Sequence, residues 1–240
     1  MFKFTNDSPF IQLDNRKNRE WNPSSANNHN ERFSAMLPPD IIAGNSVLDL
    51  GACIGAAGEW CMQNGAYSYT AVELSDEYVN TMQQILTYRN VSIINMDIEE
   101  FLETNEEKFD VVILSGVVYG FIDYYNLFKR ATNIANKYLC LDLTRPKGAG
   151  DIEYARALMT TAEGVFETHG PRISPDTLTF LLSTLNFGCH SQTLALPNYR
   201  PNGIYNSRYL AIYERSNIPY ISTTQRIREK HKVDFELKGD

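Results

Sequence analysis

Residues 47–58 read Val47-Leu-Asp49-Leu-Gly51-Ala-Cys53-Ile-Gly55-Ala-Ala-Gly58. An apolar run carries one acidic residue and opens straight into a glycine-rich turn. That order is what a nucleotide-type ligand requires at the C-terminal end of the first strand of a doubly wound sheet. Glycine lets the backbone bend tightly and approach a ligand, because no Cβ stands in the way. The helix that follows offers unpaired N–H groups at its start. The dinucleotide fingerprint is G-x-G-x-x-G, whereas here Gly51, Gly55 and Gly58 are spaced by three and two residues and position 53 is Cys. Asp49 stands two residues before the first glycine, where a carboxylate repels a pyrophosphate and favours a ligand bearing a cationic amino group.

S-adenosylmethionine (SAM) is such a ligand. Residues 47–58 resemble the cofactor loop of the class I SAM-dependent methyltransferases, whose usual form is acidic-x-Gly-x-Gly-x-Gly. Asp49, Gly51 and Gly55 match that form, and Cys53 takes the place of the middle glycine. The resemblance implies a Rossmann-like α/β fold, a doubly wound seven-stranded sheet that is mostly parallel with its last strand antiparallel. It implies cofactor contacts from Asp49, Gly51, Ala52, Cys53 and Gly55.

The alternation along the chain agrees with this expectation. From Val47 to Leu143 short apolar runs alternate with amphipathic stretches, the pattern of βα units on a parallel sheet. Strands are expected at Val47–Leu50, Tyr67–Glu73, Val91–Asn95, Phe109–Leu114 and Tyr138–Leu143, apolar on both faces as strands covered by helices must be. Helices are expected at Ala56–Asn64, after the cap Ser75, at Ile98–Leu102 and at Tyr124–Ala135. Further on, a helix at Pro175–Leu185 and strands at Gly188–Leu194 and Tyr205–Tyr213 read as an antiparallel pair closing one sheet edge. The expected organisation is an N-terminal extension or lid over residues 1–39, a methyltransferase domain over 40–214 and a C-terminal extension over 215–240. Residues 14–32, rich in Asn, Arg and Ser around Trp21, read as a loop or lid.

Three more positions fall just past strand ends, where open α/β sheets bind ligands. Glu73 lies about twenty residues beyond the loop, where a carboxylate accepts from ribose hydroxyls; Leu74 follows it. A surface Glu before a helix is the plain alternative, and NAD enzymes share the device. In Asn95-Met96-Asp97-Ile98, the resemblance implies that Asp97 accepts from the adenine amino group and that Met96 or Ile98 covers the ring. Asp97 is equally suited to cap the next helix. Ser115 and Gly116, after the fourth strand, would approach the methionine part.

The stretch Ser115-Gly-Val-Val-Tyr119-Gly120 also bears on the acceptor. Methyltransferases of DNA amino groups and of glutamine carry Asn/Asp-Pro-Pro-Tyr/Phe there, which this chain lacks. It looks more like the Gly-Val-Leu-Tyr-His segment of small-molecule O- and C-methyltransferases such as those of quinone biosynthesis, which a tRNA-wobble-modifying relative also carries. Gly120 replaces the His. A general base is needed only if the acceptor must lose a proton; the candidates are His29, Tyr119 and Asp142, with His169 and His190 behind them. Asp142 could instead pair with Arg145. Arg145, Arg172 and Arg208 are candidates to hold an anionic substrate, since guanidinium forks bind carboxylates and phosphates bidentately; ordinary surface charge is the alternative.

Composition bounds the rest. A chain of 240 residues with a formal charge of −7 has room for one substantial core. Ser46–Asp110 holds twelve acidic and two basic residues, and Val111–Tyr213 seven acidic and nine basic. An acidic whole argues against sequence-independent adhesion to nucleic acid. The four cysteines lack metal-ligand spacing and read as reduced, mostly buried thiols. The N-terminus has no apolar core of signal-peptide length, and no run of about 18 apolar residues exists to span a membrane. A cytoplasmic location is expected, with no metal.

The reading is therefore methyl transfer from SAM by direct displacement to a small-molecule acceptor, giving S-adenosylhomocysteine (SAH). A tRNA- or protein-modifying methyltransferase and a SAM-fold binding module without turnover are the alternatives. Cys53 and Asp49 disfavour an NAD-dependent oxidoreductase.

Overall fold

A computed structural model describes residues 1–17, 26–144, 146, 152–161, 164–193 and 208–217. Five strands, β1 (Ser46–Leu50), β2 (Ser68–Glu73), β3 (Val91–Asn95), β4 (Phe109–Ser115) and β5 (Ala135–Thr144), pair in parallel in the order β3-β2-β1-β4-β5. Beyond a hairpin formed by β6 (Ile152–Thr161) and β7 (Gly164–Ile173), β8 (Phe187–Thr193) and β9 (Arg208–Arg215) complete a seven-stranded sheet as β5-β9-β8. β9, the last strand of the chain, is antiparallel to both its neighbours. The expected sheet is thus the observed one. The hairpin was not expected: its two strands pair over their full lengths as a separate antiparallel ribbon.

Helices cover both faces because the strands are apolar on both faces. Val47, Tyr69, Ala71, Val111 and Ile113 face one core, built with α1 (Pro9–Lys17), α2 (Ala26–Met36), α3 (Pro39–Ile42), α4 (Ala56–Gln63) and α5 (Asp76–Ile85). Leu48, Leu50, Val112, Leu114 and Leu141 face the other, closed by α6 (Ile98–Thr104), α7 (Tyr124–Ile134) and α8 (Pro175–Thr184). Neighbouring residues of one strand go to opposite cores, as the period of two demands. Asp49 shares its parity with Val47, so it points into the first core.

Residues 14–32 were expected as a loop or lid. Instead α1 ends at Lys17 and α2 begins at Ala26, while residues 18–25, Trp21 among them, lie outside the described residues. The buried positions of α2, Ala26, His29, Phe33 and Met36, recur at helical spacing. They pack with Phe4 and Phe10 from the N-terminal segment and with Trp60 of α4. Phe4 stacks on Trp60 at 6.2 Å, and the indole N–H of Trp60 donates to the Leu37 carbonyl at 2.8 Å. Ser75 occupies the N-cap position of α5, but its side chain makes no capping bond. Cys61 and Cys140 are buried, whereas Cys53 and Cys189 are exposed, all four as free thiols. Among the described residues no helix is long and apolar enough to cross a membrane, and no cluster of metal-ligating side chains occurs.

Candidate functional site

The strand order reverses between β1 and β4, and the crevice outside their carboxyl ends is where such a sheet takes a ligand. Gly51 leaves β1 with φ 81°. A Cβ there would stand 2.4 Å from Cγ1 of Val117, which follows β4. Gly55 also has φ 81° and forms the N-cap of α4. Cys53, the residue between Gly51 and Gly55 that stands in place of a glycine in the loop it resembles, has φ 53°. The backbone at that position thus keeps a left-handed conformation that costs an ordinary side chain about 1–2 kcal/mol. Gly58 plays a different part from the turn glycines. It lies within α4, and a Cβ there would meet the Tyr69 ring at 2.6 Å.

Glu73, at the end of β2, braces this loop. Its Oε2 accepts from the Cys53 N–H at 2.8 Å and its Oε1 from the Ser75 N–H at 2.9 Å. A carboxylate has about four lone-pair sites, so each oxygen keeps capacity for a hydroxyl donor. The Met96 N–H donates to the Glu73 carbonyl at 3.2 Å, and Leu74 beside it is exposed. Asp97 is the N-cap of α6 and accepts from Glu99 N–H at 2.7 Å. The capping reading of Asp97 therefore holds whatever else the residue does. Ile98 reaches the loop: its Cδ1 is 3.5 Å from where a Gly51 Cβ would sit. The loop, Glu73, Met96 and Ile98 form one neighbourhood.

The other neighbourhood is a cavity of about 110 Å³ lined by His29, Arg32, Phe33, Asp49, Gly51 and Ser115, among others. Asp49 is 2% exposed. Its Oδ2 accepts from the Tyr69 hydroxyl at 2.6 Å, while Oδ1 is buried without a hydrogen-bond partner among the described residues. Burial pushes the Asp49 carboxyl up to about 6; the Tyr69 hydrogen bond and the Arg32 charge pull it down, and Glu73 raises it slightly. Arg32 of α2 donates to Ser115 Oγ and pairs with Asp142, at the end of β5, with Nε 2.7 Å from Oδ2. Asp142 is 1% exposed and therefore takes its counter-charge from Arg32. Arg145, the partner weighed from sequence, lies outside the described residues.

His29 lines the cavity from a helix, edge-on to Phe4 and Phe33, rather than from a lid loop. Gly116 has φ 70°, and its N–H donates to the Asp142 carbonyl at 2.9 Å. Tyr119 sits in a single 3₁₀ turn, Val118–Gly120, against which β7 packs so closely that a Cβ on Gly170 would fall 1.4 Å from the Tyr119 carbonyl oxygen. Arg172 lies on β7 and Arg208 on β9, in strands rather than loops; among the described residues that line the cavity Arg172 is not found. Arg32 and Tyr69 were not singled out from sequence. The signal for Arg32 was its place one helical turn after His29.

Residues 47–137 match a family model described as a methyltransferase domain. The span begins at the strand before the glycine loop and ends in β5, so it contains both neighbourhoods except for α2 and Asp142. Over that span the chain is similar to a methyltransferase domain. Solved structures share the fold. A magnesium protoporphyrin IX methyltransferase from Synechocystis PCC 6803 with bound SAM superposes with TM-score 0.57 at 16% identity, over 88% of this chain and 86% of that one. A SAM-dependent methyltransferase from Mesorhizobium loti gives 0.58 at 16%, over 76% and 95%. The 1,6-didemethyltoxoflavin-N1-methyltransferase of Burkholderia thailandensis, bound to 1,6-didemethyltoxoflavin and SAH, gives 0.54 at 18%, over 77% and 79%. No curated protein sequence matches this chain significantly.

Proposed function

We propose that this protein is a class I SAM-dependent methyltransferase that moves a methyl group from SAM to a small-molecule acceptor. The observation that carries the reading is Oδ1 of Asp49, buried with no hydrogen-bond partner among the described residues, in a cavity that also holds a guanidinium. A buried, unpaired carboxylate oxygen is costly unless a ligand satisfies it. Asp49 and Arg32 on one cavity suit the ammonium and the carboxylate of an amino-acid end. Gly51 gives the backbone its close approach, Glu73 accepts from the ribose hydroxyls, and Met96 and Ile98 flank the adenine beside Asp97. Leu74, Ala52, Cys53, Gly55, Ser115 and Gly116 complete the donor's surroundings. SAM brings a sulfonium-bound methyl that an acceptor displaces in line. Alignment within about 3–3.5 Å supplies much of the acceleration in such a step.

A small acceptor is supported by the net charge of −7, which disfavours a phosphate backbone as partner. Proteins of the same fold include a magnesium protoporphyrin IX methyltransferase and a methyltransferase bound to 1,6-didemethyltoxoflavin. Among the candidate bases, His29 lines the cavity, so we assign it the proton when the acceptor has one to lose. Asp142 is committed to Arg32, and Tyr119 shapes the wall on which the hairpin rests. An anionic acceptor would draw on Arg172, with Arg145 and Arg208 as further candidates.

The test is calorimetric titration with SAM and SAH, NAD as control, followed by incubation with methyl-labelled SAM and a fractionated cell extract. Micromolar binding of the SAM pair with label in the small-molecule fraction supports the reading. Label in RNA or protein would replace the acceptor class, and binding without any transfer would leave a ligand-binding module.

A further inference from the structure

The contacts behind Asp49 show how its free oxygen comes to be presented. Tyr69 stands on β2 opposite Val47, one diagonal step from Asp49, and is wholly buried. Its phenol reaches across to Oδ2. The ring occupies space that α4 leaves only because residue 58 is glycine: a Cβ there would lie 2.6 Å from Cε1 and 2.9 Å from Cζ. Other titratable groups face Asp49 from every side. Arg32 comes from α2, Glu73 from the end of β2 and Cys61 from α4, and His29 lines the same cavity. Among the described residues Tyr69 is the side chain that donates a hydrogen bond to the carboxylate.

We propose that Tyr69 is a positioning residue of the methyl-donor site: its phenol anchors Oδ2 of Asp49, in space Gly58 provides, and so presents Oδ1 to the ammonium of the donor. This rests on the donor assignment above. Burial and the adjacent carboxylate push the Tyr69 hydroxyl well above its ordinary range, so the proton stays on oxygen throughout the working pH. The bond is charge-assisted once Asp49 ionises, and such bonds are about twice as strong as neutral ones. Phe would fill the same space; the hydroxyl is therefore there for the carboxylate.

The experiment compares two ligands on the full chain by calorimetry between pH 5.5 and 8. SAH carries the amino-acid end, and 5′-methylthioadenosine keeps the adenosine and thioether without it. In the wild type, SAH affinity rises as pH climbs through about 6, while methylthioadenosine affinity stays level. Tyr69→Phe weakens SAH about ten-fold at pH 7 and moves the rise to higher pH, because burial then acts on the carboxyl with less opposition. Methylthioadenosine binding is unchanged. Tyr69→Phe behaving as wild type towards SAH, or losing both ligands alike, overturns the proposal; the second outcome would mark a purely structural role. If Tyr69→Phe does not fold, near-isosteric 3,5-difluorotyrosine at position 69, a stronger donor, must shift the SAH rise to lower pH, and an unmoved rise is equally fatal. A wild type that binds neither ligand refutes the donor assignment instead.

Discussion

Arg32 and Asp142 are 110 residues apart in sequence, yet the guanidinium Nε lies 2.7 Å from the carboxylate, with side chains 18% and 1% exposed. The pair joins an N-terminal helix to the C-terminal end of the central sheet. Removing one partner from such a buried pair leaves an uncompensated charge, a loss of about 3–5 kcal/mol. Arg32→Ala should therefore lower stability by that order in urea denaturation. Adding Asp142→Asn should recover part of it, because the double variant no longer buries the Asp142 charge without its guanidinium. Equal losses in the single and double variants would show that the pair is not coupled.

Asp49 should set a pH signature on stability. Its carboxyl is raised from 3.8 to about 6 in the folded state, so the folded protein holds that proton more tightly than the unfolded chain. The contribution is favourable below about pH 4 and is lost as pH rises through 6. At neutral pH the ionised group costs on the order of 3 kcal/mol. Asp49→Asn should then be more stable than wild type at pH 7, by up to about that amount, and level with it near pH 4. SAH binding should disappear. A variant less stable than wild type at pH 7 would contradict this account of Asp49.

The loop residues 51 and 53 should respond in opposite ways to exchange of glycine. Gly51→Ala places a Cβ 2.4 Å from Val117 Cγ1 at φ 81°, and SAH affinity should fall at least ten-fold, about 1.4 kcal/mol. Cys53→Gly relieves a left-handed side-chain residue at φ 53° and should leave melting temperature and SAH affinity within error or slightly improved. Loss of binding in Cys53→Gly would give the thiol a role beyond its backbone.

Gly170 tests the hairpin. A Cβ there cannot coexist with the Tyr119 carbonyl at 1.4 Å, so Gly170→Ala must lift β7 from the 3₁₀ turn. If the hairpin forms part of the acceptor wall, kcat/KM should fall at least ten-fold while SAH affinity is retained, a difference steady-state kinetics and calorimetry together would expose.

The sheet was legible because its signals are local. Strand runs at Val47–Leu50 and Phe109–Leu114, glycines at 51 and 55 and the acidic Glu73 all lie within a few residues of the elements they define. The hairpin was not, since Ala155-Arg-Ala-Leu-Met159 is rich in good helix formers and only pairing with β7 makes it a strand. The helix α2 hid behind Asn and Glu residues, its buried face reduced to Ala26, His29, Phe33 and Met36. Arg32 and Tyr69 gain their meaning from partners on other elements, Asp142 and Asp49; the spacing of Arg32 from His29 could mark a shared helix face but not the partner across the fold.

Trp60 belongs to the helix that follows the glycine loop and is stacked on Phe4 and tilted against Phe33. The amino-terminal residues are thereby wired to a fluorophore. Indole emission is an intrinsic optical gauge of whether the chain's first few residues are seated, and Trp21→Phe would leave Trp60 as the sole emitter. It also makes the amino end a poor place for an affinity tag, because whatever disturbs Phe4 is felt one layer away by the helix that carries the glycine turn.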